Sequence, residues 1–206
     1  MSIFGWFQKK TPRTSLVPVG TFTAAYLAVA TPFAVAAQNT EFLFYIGVVI
    51  ALAVVVVLVH RKANLSQTAL LMLSAWGLLH MLGGLFKIPA ELTDNGSGVL
   101  YSLWIIPNYL KYDQVVHAYG FGVATWVCWE CVRTIPGVKP TTGVLALCAL
   151  AGMGLGSLNE IIEFIAVLAI PGTNVGGYEN TGWDLVANAI GAITAVKIAN
   201  LTSSRS

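Results

Sequence analysis

The sequence predicts an all-α fold: a polytopic membrane protein, a bundle of six transmembrane helices forming one domain over residues 1–206. Three observations carry this. The chain is 56% apolar and only 10% charged, where a soluble domain has about 25% charged residues. Its mean hydropathy is +0.75. Apolar runs of about 20 residues recur along it, each long enough to cross a hydrocarbon core about 30 Å thick. No segment repeats another and no long polar linker divides the chain. A net charge of +2 is too small to suggest a nucleic-acid partner, whose phosphates demand many cations. The expected partner is the lipid bilayer.

The six spans are expected at 16–37, 42–59, 67–87, 113–133, 142–170 and 183–201. The first has the look of a signal peptide, with Lys9, Lys10 and Arg13 ahead of the apolar run and "AVAAQ" behind it; it is read as a retained span. Basic residues favour the untranslocated side. Lys9, Lys10 and Arg13 lie before span one, Arg61 and Lys62 after span two, Arg133 and Lys139 after span four, and Arg205 in the tail. Both termini are therefore expected in the cytoplasm.

Two outer loops are unusual. Residues 88–112 hold "GVLYSLWIIP", too short to span; it is expected to lie in the outer interface or fold back as a lid. The loop "PGTNVGGYENTGW" is rich in glycine and polar groups. Cys128, Cys131 and Cys148 lie near the cytoplasmic ends of spans four and five. "CWEC" lacks the soluble βαβ setting of a redox motif, so these read as free thiols.

Charge inside a bilayer costs about 2.5–3.5 kcal/mol per group on insertion scales, so the few ionisable residues within spans are informative. They are His80, Asp113, His117, Glu130, Glu160, Glu163 and Asp184, with Asn188 as a polar neighbour. Helix rise sorts them by depth. His80 lies about 20 Å up span three and Glu160 about 27 Å up span five. Asp113 with His117, and Asp184 with Asn188, open spans four and six from the outside, each pair one turn apart. Four spans thus direct acids and imidazoles to one outer-leaflet slab. Glu130 falls at the other end.

Carboxylates gathered in low dielectric need protons or a cation between them. Two histidines with several carboxylates suit a divalent metal such as Zn, Mn or Fe. Asp113/His117 and Glu160/Glu163 have the spacing by which one helix offers two ligands. The expected metal-ligand set is His80, Asp113, His117, Glu160, Glu163 and Asp184, with Glu160 or Glu163 as general base. "GMGLGS", ahead of the glutamates, reads as a close helix-packing face.

The ordered motifs resemble the YjdF-like inner-membrane proteins. The matching pieces are His80 with Gly83 and Gly84, Asp113 with His117, Gly120 and Phe121, Glu160 with Glu163, and Trp183 with Asp184. The resemblance covers roughly residues 70–195, and a fainter one links the chain to VanZ-like proteins. It implies the six-span bacterial topology and groups the same residues, without implying a reaction. "ENTG" at 179–182 stands where the family has a polar "GD" or "QGD" before Trp-Asp.

Three functional readings stay open. The cluster could serve a metal-dependent hydrolase acting on a lipid or lipid-linked substrate, a proton or ion relay, or an accessory subunit of a larger membrane complex.

Overall fold

A computed structural model describes residues 13–94 and 96–203. Of the basic residues used to orient the chain, Lys9, Lys10 and Arg205 lie outside that range. Six long helices are present, as expected: α1 (Val17–Ala36), α2 (Thr40–Ala63), α3 (Gln67–Leu85), α4 (Tyr112–Val132), α5 (Thr142–Ala169) and α6 (Tyr178–Ser203).

All but α4 are long and apolar enough to cross a membrane. The exception has a physical reason. α4 packs against α3, α5 and α6 and buries Gln114, His117, Thr125 and Glu130 within the bundle. A helix enclosed by its neighbours need not be compatible with lipid.

Two helix boundaries differ from those read in the sequence. α2 runs on to Ala63 and takes in His60, Arg61 and Lys62. Cations suit the negative end of a helix dipole, and Asn64, left-handed at φ 50°, ends it. α6 begins at Tyr178 rather than 183. Residues expected in a loop thereby form its first turn, and Asn180 stands one turn above Asp184.

The α4–α6 contact is the most extensive in the bundle. It is close because glycine faces glycine: a Cβ on Gly191 would strike the Ala118 carbonyl and the Gly122 nitrogen. On α5, Gly152 faces Thr125 and Gly156 faces Asn188, while Gly154 points into open space. The packing face expected of "GMGLGS" is therefore the 152/156 face, and Glu160 continues it one turn further. The other half of the core joins Tyr26, Ala30 and Ala34 of α1 to Phe42, Tyr45 and Ile46 of α2 and Met81 of α3. Gly84 leaves room there for the Phe42 ring.

At the end of the bundle where α3 starts, Glu130 accepts from Ser66 N (2.8 Å), Ser66 Oγ (2.6 Å) and Trp126 Nε1 (3.0 Å). It anchors the start of α3, where an anion also suits the helix dipole. The cysteines are free, with Cys148 buried and Cys128 and Cys131 half-buried.

At the opposite end, residues 86–94 and 96–111 form a cap. It contains 3-10 turns at Ala90–Leu92 and Leu100–Ser102 and an antiparallel ribbon of β1 (Trp104–Ile106) and β2 (Leu110–Lys111). Val99 and Ser102 are buried beneath it, whereas Ile105, Ile106 and Tyr109 at its tip are exposed.

Candidate metal centre

The centre is built around His117. Its position on α4 puts the imidazole between α5 and α6, where it is buried. Nε2 lies 3.5 Å from Asp113 Oδ1 and 3.8 Å from Glu163 Oε1, and Nδ1 lies 3.5 Å from Glu160 Oε1. Asp184, on α6, is fully buried. Ligand atoms of Asp113, His117 and Asp184 fall within 4.8 Å of one another, as do those of His117, Glu160 and Glu163. Five of the six expected residues are thus gathered about one imidazole.

The sixth, His80, stands apart. It is in neither of those groups, and its Nδ1 is hydrogen-bonded to the Tyr101 hydroxyl. Its ring packs edge-on to Tyr45 at 5.1 Å and Tyr101 at 5.4 Å. Gly83 admits the Tyr101 ring over α3. Burial pushes the Tyr101 hydroxyl well above the ordinary phenol range, so it stays protonated and can donate to His80. His80 does reach the small cavity of about 50 Å³ at the capped mouth of the bundle, which Asp113 and Glu163 also line.

The donor set is short of protons. Neither oxygen of Glu160 has a hydrogen-bond partner among the described residues, nor has Asp184 Oδ1. Buried carboxylate oxygens left unmatched are costly. Glu163 Oε1 accepts from Asn159 Nδ2 at 2.7 Å. Asn188 Oδ1 lies 3.1 Å from His117 Nδ1. An amide oxygen can only accept, so Nδ1 carries the proton; Nε2 faces Asp113 and Glu163, where it holds a second proton between the carboxylates or, once that proton is shed, offers its lone pair to a metal. The Asn188 contact is the support a metal-ligating imidazole commonly has.

Several residues at the mouth escape a reading based on spans. Asn180 Nδ2 donates to Asp113 Oδ2 (3.1 Å) and to Asp184 Oδ2 (2.5 Å), while its Oδ1 accepts from Lys111 Nζ. The "ENTG" departure therefore supplies the amide that links α4 to α6. Lys111 is buried, pairs with Asp94 at 3.1 Å and lies 5.9 Å over the Trp104 ring. Glu41, at the start of α2, accepts from Asn174 N (2.9 Å) and Asn174 Nδ2 (3.2 Å), fastening the glycine-rich loop. Their sequence signal was faint: each sits in or beside a loop, where charge is ordinary. Trp183 is half exposed and has no contact with the cluster among those described.

No curated protein and no solved structure matches the chain. A family model described as "Predicted membrane protein (DUF2238)" matches residues 19–205, in keeping with the YjdF-like resemblance and with a multi-pass protein in a lipid bilayer. The chain belongs to the DUF2238 family of predicted membrane proteins.

Proposed function

We propose that this protein holds a divalent metal ion among Asp113, His117, Glu160, Glu163 and Asp184, and hydrolyses a lipid or lipid-linked substrate at the outer leaflet of a bacterial cytoplasmic membrane. The observation that carries the reading is the set of unpartnered oxygens, both of Glu160 and Oδ1 of Asp184, around a histidine whose Nε2 faces two further carboxylates. Carboxylate-rich sites with one imidazole suit Mn, Fe or Zn. Such an ion lowers the pKa of bound water to about 7 and polarises a substrate oxygen. Glu160, with no hydrogen bond to satisfy it, is the base that would take the water's proton. His80 and Tyr101 border the same cavity and would orient the substrate's polar group. A cavity of about 50 Å³ has room for an ion with a few waters, so the bulk of a lipid would stay outside among the helices.

A relay across the membrane fits less well. Within the turn and a half that follows His117, Gly191 abuts the Ala118 carbonyl and Gly122, so α4 and α6 close on each other at that point. Glu130, the acid nearer the inner end, is committed to Ser66 and Trp126.

The test is metal analysis of protein purified without chelator, alongside His117→Ala and Glu160→Gln, then incubation with extracted inner-membrane lipids read by mass spectrometry. One ion per chain, lost in the variants, with metal-dependent lipid turnover, is expected. A wild type free of metal would end the metal reading. Bound metal without turnover would leave a structural centre and reject the hydrolase.

A further inference from the structure

At the end of the bundle opposite the acid cluster, a groove of about 610 Å³ opens between α2 and α4. It exists because α2 leaves the bundle: between Ile46 and His60 no residue of α2 is buried. Leu58, Val59 and Ala63 of α2 and Cys131 of α4 make the floor, and Arg61 and Lys62 stand at the rim. Both rim residues are exposed, and neither has a carboxylate within 4.0 Å among the described residues. A third cation joins them, since Arg13 donates to the Arg61 carbonyl at 2.9 Å. His60 and Asn64 hold that segment through Thr14, which keeps Arg13 beside Arg61.

We propose that this groove binds one anionic phospholipid, its phosphate on Arg61 and Lys62 with Arg13 alongside and an acyl chain between α2 and α4. Charge decides the occupant. Arg61 and Lys62, with Arg13 beside them and no acidic partner among the described residues, stand over an apolar slot at the end of a transmembrane helix, which is the layout of a phospholipid at the interface. Basic pockets between membrane helices are known to take anionic headgroups, and the volume is within the usual range of ligand pockets, about 300–1,000 Å³. A basic helix end that serves only to orient the chain needs no groove beneath it. The site is independent of the metal centre, at the other end of the helices.

The test is native mass spectrometry of the full chain in mild detergent with phosphatidylglycerol or phosphatidylcholine of the same acyl chains. Phosphatidylglycerol should be retained in preference. The double variant Arg61→Gln/Lys62→Gln should weaken retention about 25-fold, at about fivefold per cation. Cys131→Trp fills the slot without changing charge and should also expel the lipid; Ala63→Phe does the same from α2 should the first fold poorly. Equal retention of the two lipids would overturn the proposal. So would undiminished phosphatidylglycerol in the filled variants, which would mean a merely basic surface. Displacement of the lipid by millimolar inorganic phosphate would mark a free-phosphate site and overturn it as well.

Discussion

His117 Nδ1 lies 3.1 Å from Asn188 Oδ1, one turn inward of Asp184 on α6. The contact orients the imidazole and favours a proton on Nδ1. Asn188→Ala would free the ring to turn and let the proton sit on either nitrogen. Loss of such a supporting partner typically costs 10–100-fold in metal affinity. Competition with a chelating dye should show a drop of that size while helix content is unchanged. An affinity equal to wild type would mean that Nε2 is not a ligand.

Much of this arrangement was legible in the sequence. Ionisable residues within apolar spans are few because they are costly, and helix rise put Asp113, His117, Glu160, Glu163 and Asp184 at one depth before any contact was known. His80 lines the same cavity as Asp113 and Glu163, but its Nδ1 turns to Tyr101, a choice of partner that helix rise alone does not reveal. Lys111, Asn180 and Glu41 were illegible for another reason. Lys111 meets Asn180 across 69 positions and Glu41 meets Asn174 across 133, and a charge in a loop has no energetic need of a partner that the sequence could reveal. The early start of α6 hid Asn180 further, because its first turn follows a run of loop-like glycines.

Two glycines in adjoining spans should respond to alanine with opposite signs. Gly191 faces the Ala118 carbonyl, backbone that cannot move aside, so Gly191→Ala should destabilise by about 1–3 kcal/mol and disturb the cluster above. Gly154 faces nothing within 4 Å, and Gly154→Ala should stabilise by about 0.5–1 kcal/mol, the usual helix gain. Thermal unfolding in detergent reads both. A lower midpoint for Gly154→Ala, or no change for Gly191→Ala, would contradict the packing.

The charge bias expects both termini inside, so the acid cluster opens outward. Cysteine at Tyr109, 83% exposed at the tip of the cap, should react in intact cells with a membrane-impermeant maleimide, in a background lacking Cys128, Cys131 and Cys148. Cysteine at Gly137, in the loop between α4 and α5, should react only after lysis. The reverse pattern would turn the protein over and put the cluster in the inner leaflet.

Lys111 is the built-in cation nearest the acids. It reaches them through Asn180, which donates to Asp113 and Asp184 while accepting from the ammonium. A positive charge there opposes the arrival of a second one, so a divalent ion and Lys111 compete for the same negative field. Lys111→Met keeps the aliphatic stem over Trp104 and removes the charge. Metal affinity should rise several-fold, and Lys111→Arg should leave it near wild type. The same cluster must shed protons to hold an ion, so affinity should fall as pH is lowered in both variants and in the wild type. If Lys111 is instead only a structural clamp on Asp94 and the cap, Lys111→Met will lower the thermal midpoint without raising affinity. Titration of each variant with Mn²⁺, followed by the ion's spin-resonance signal, separates the two.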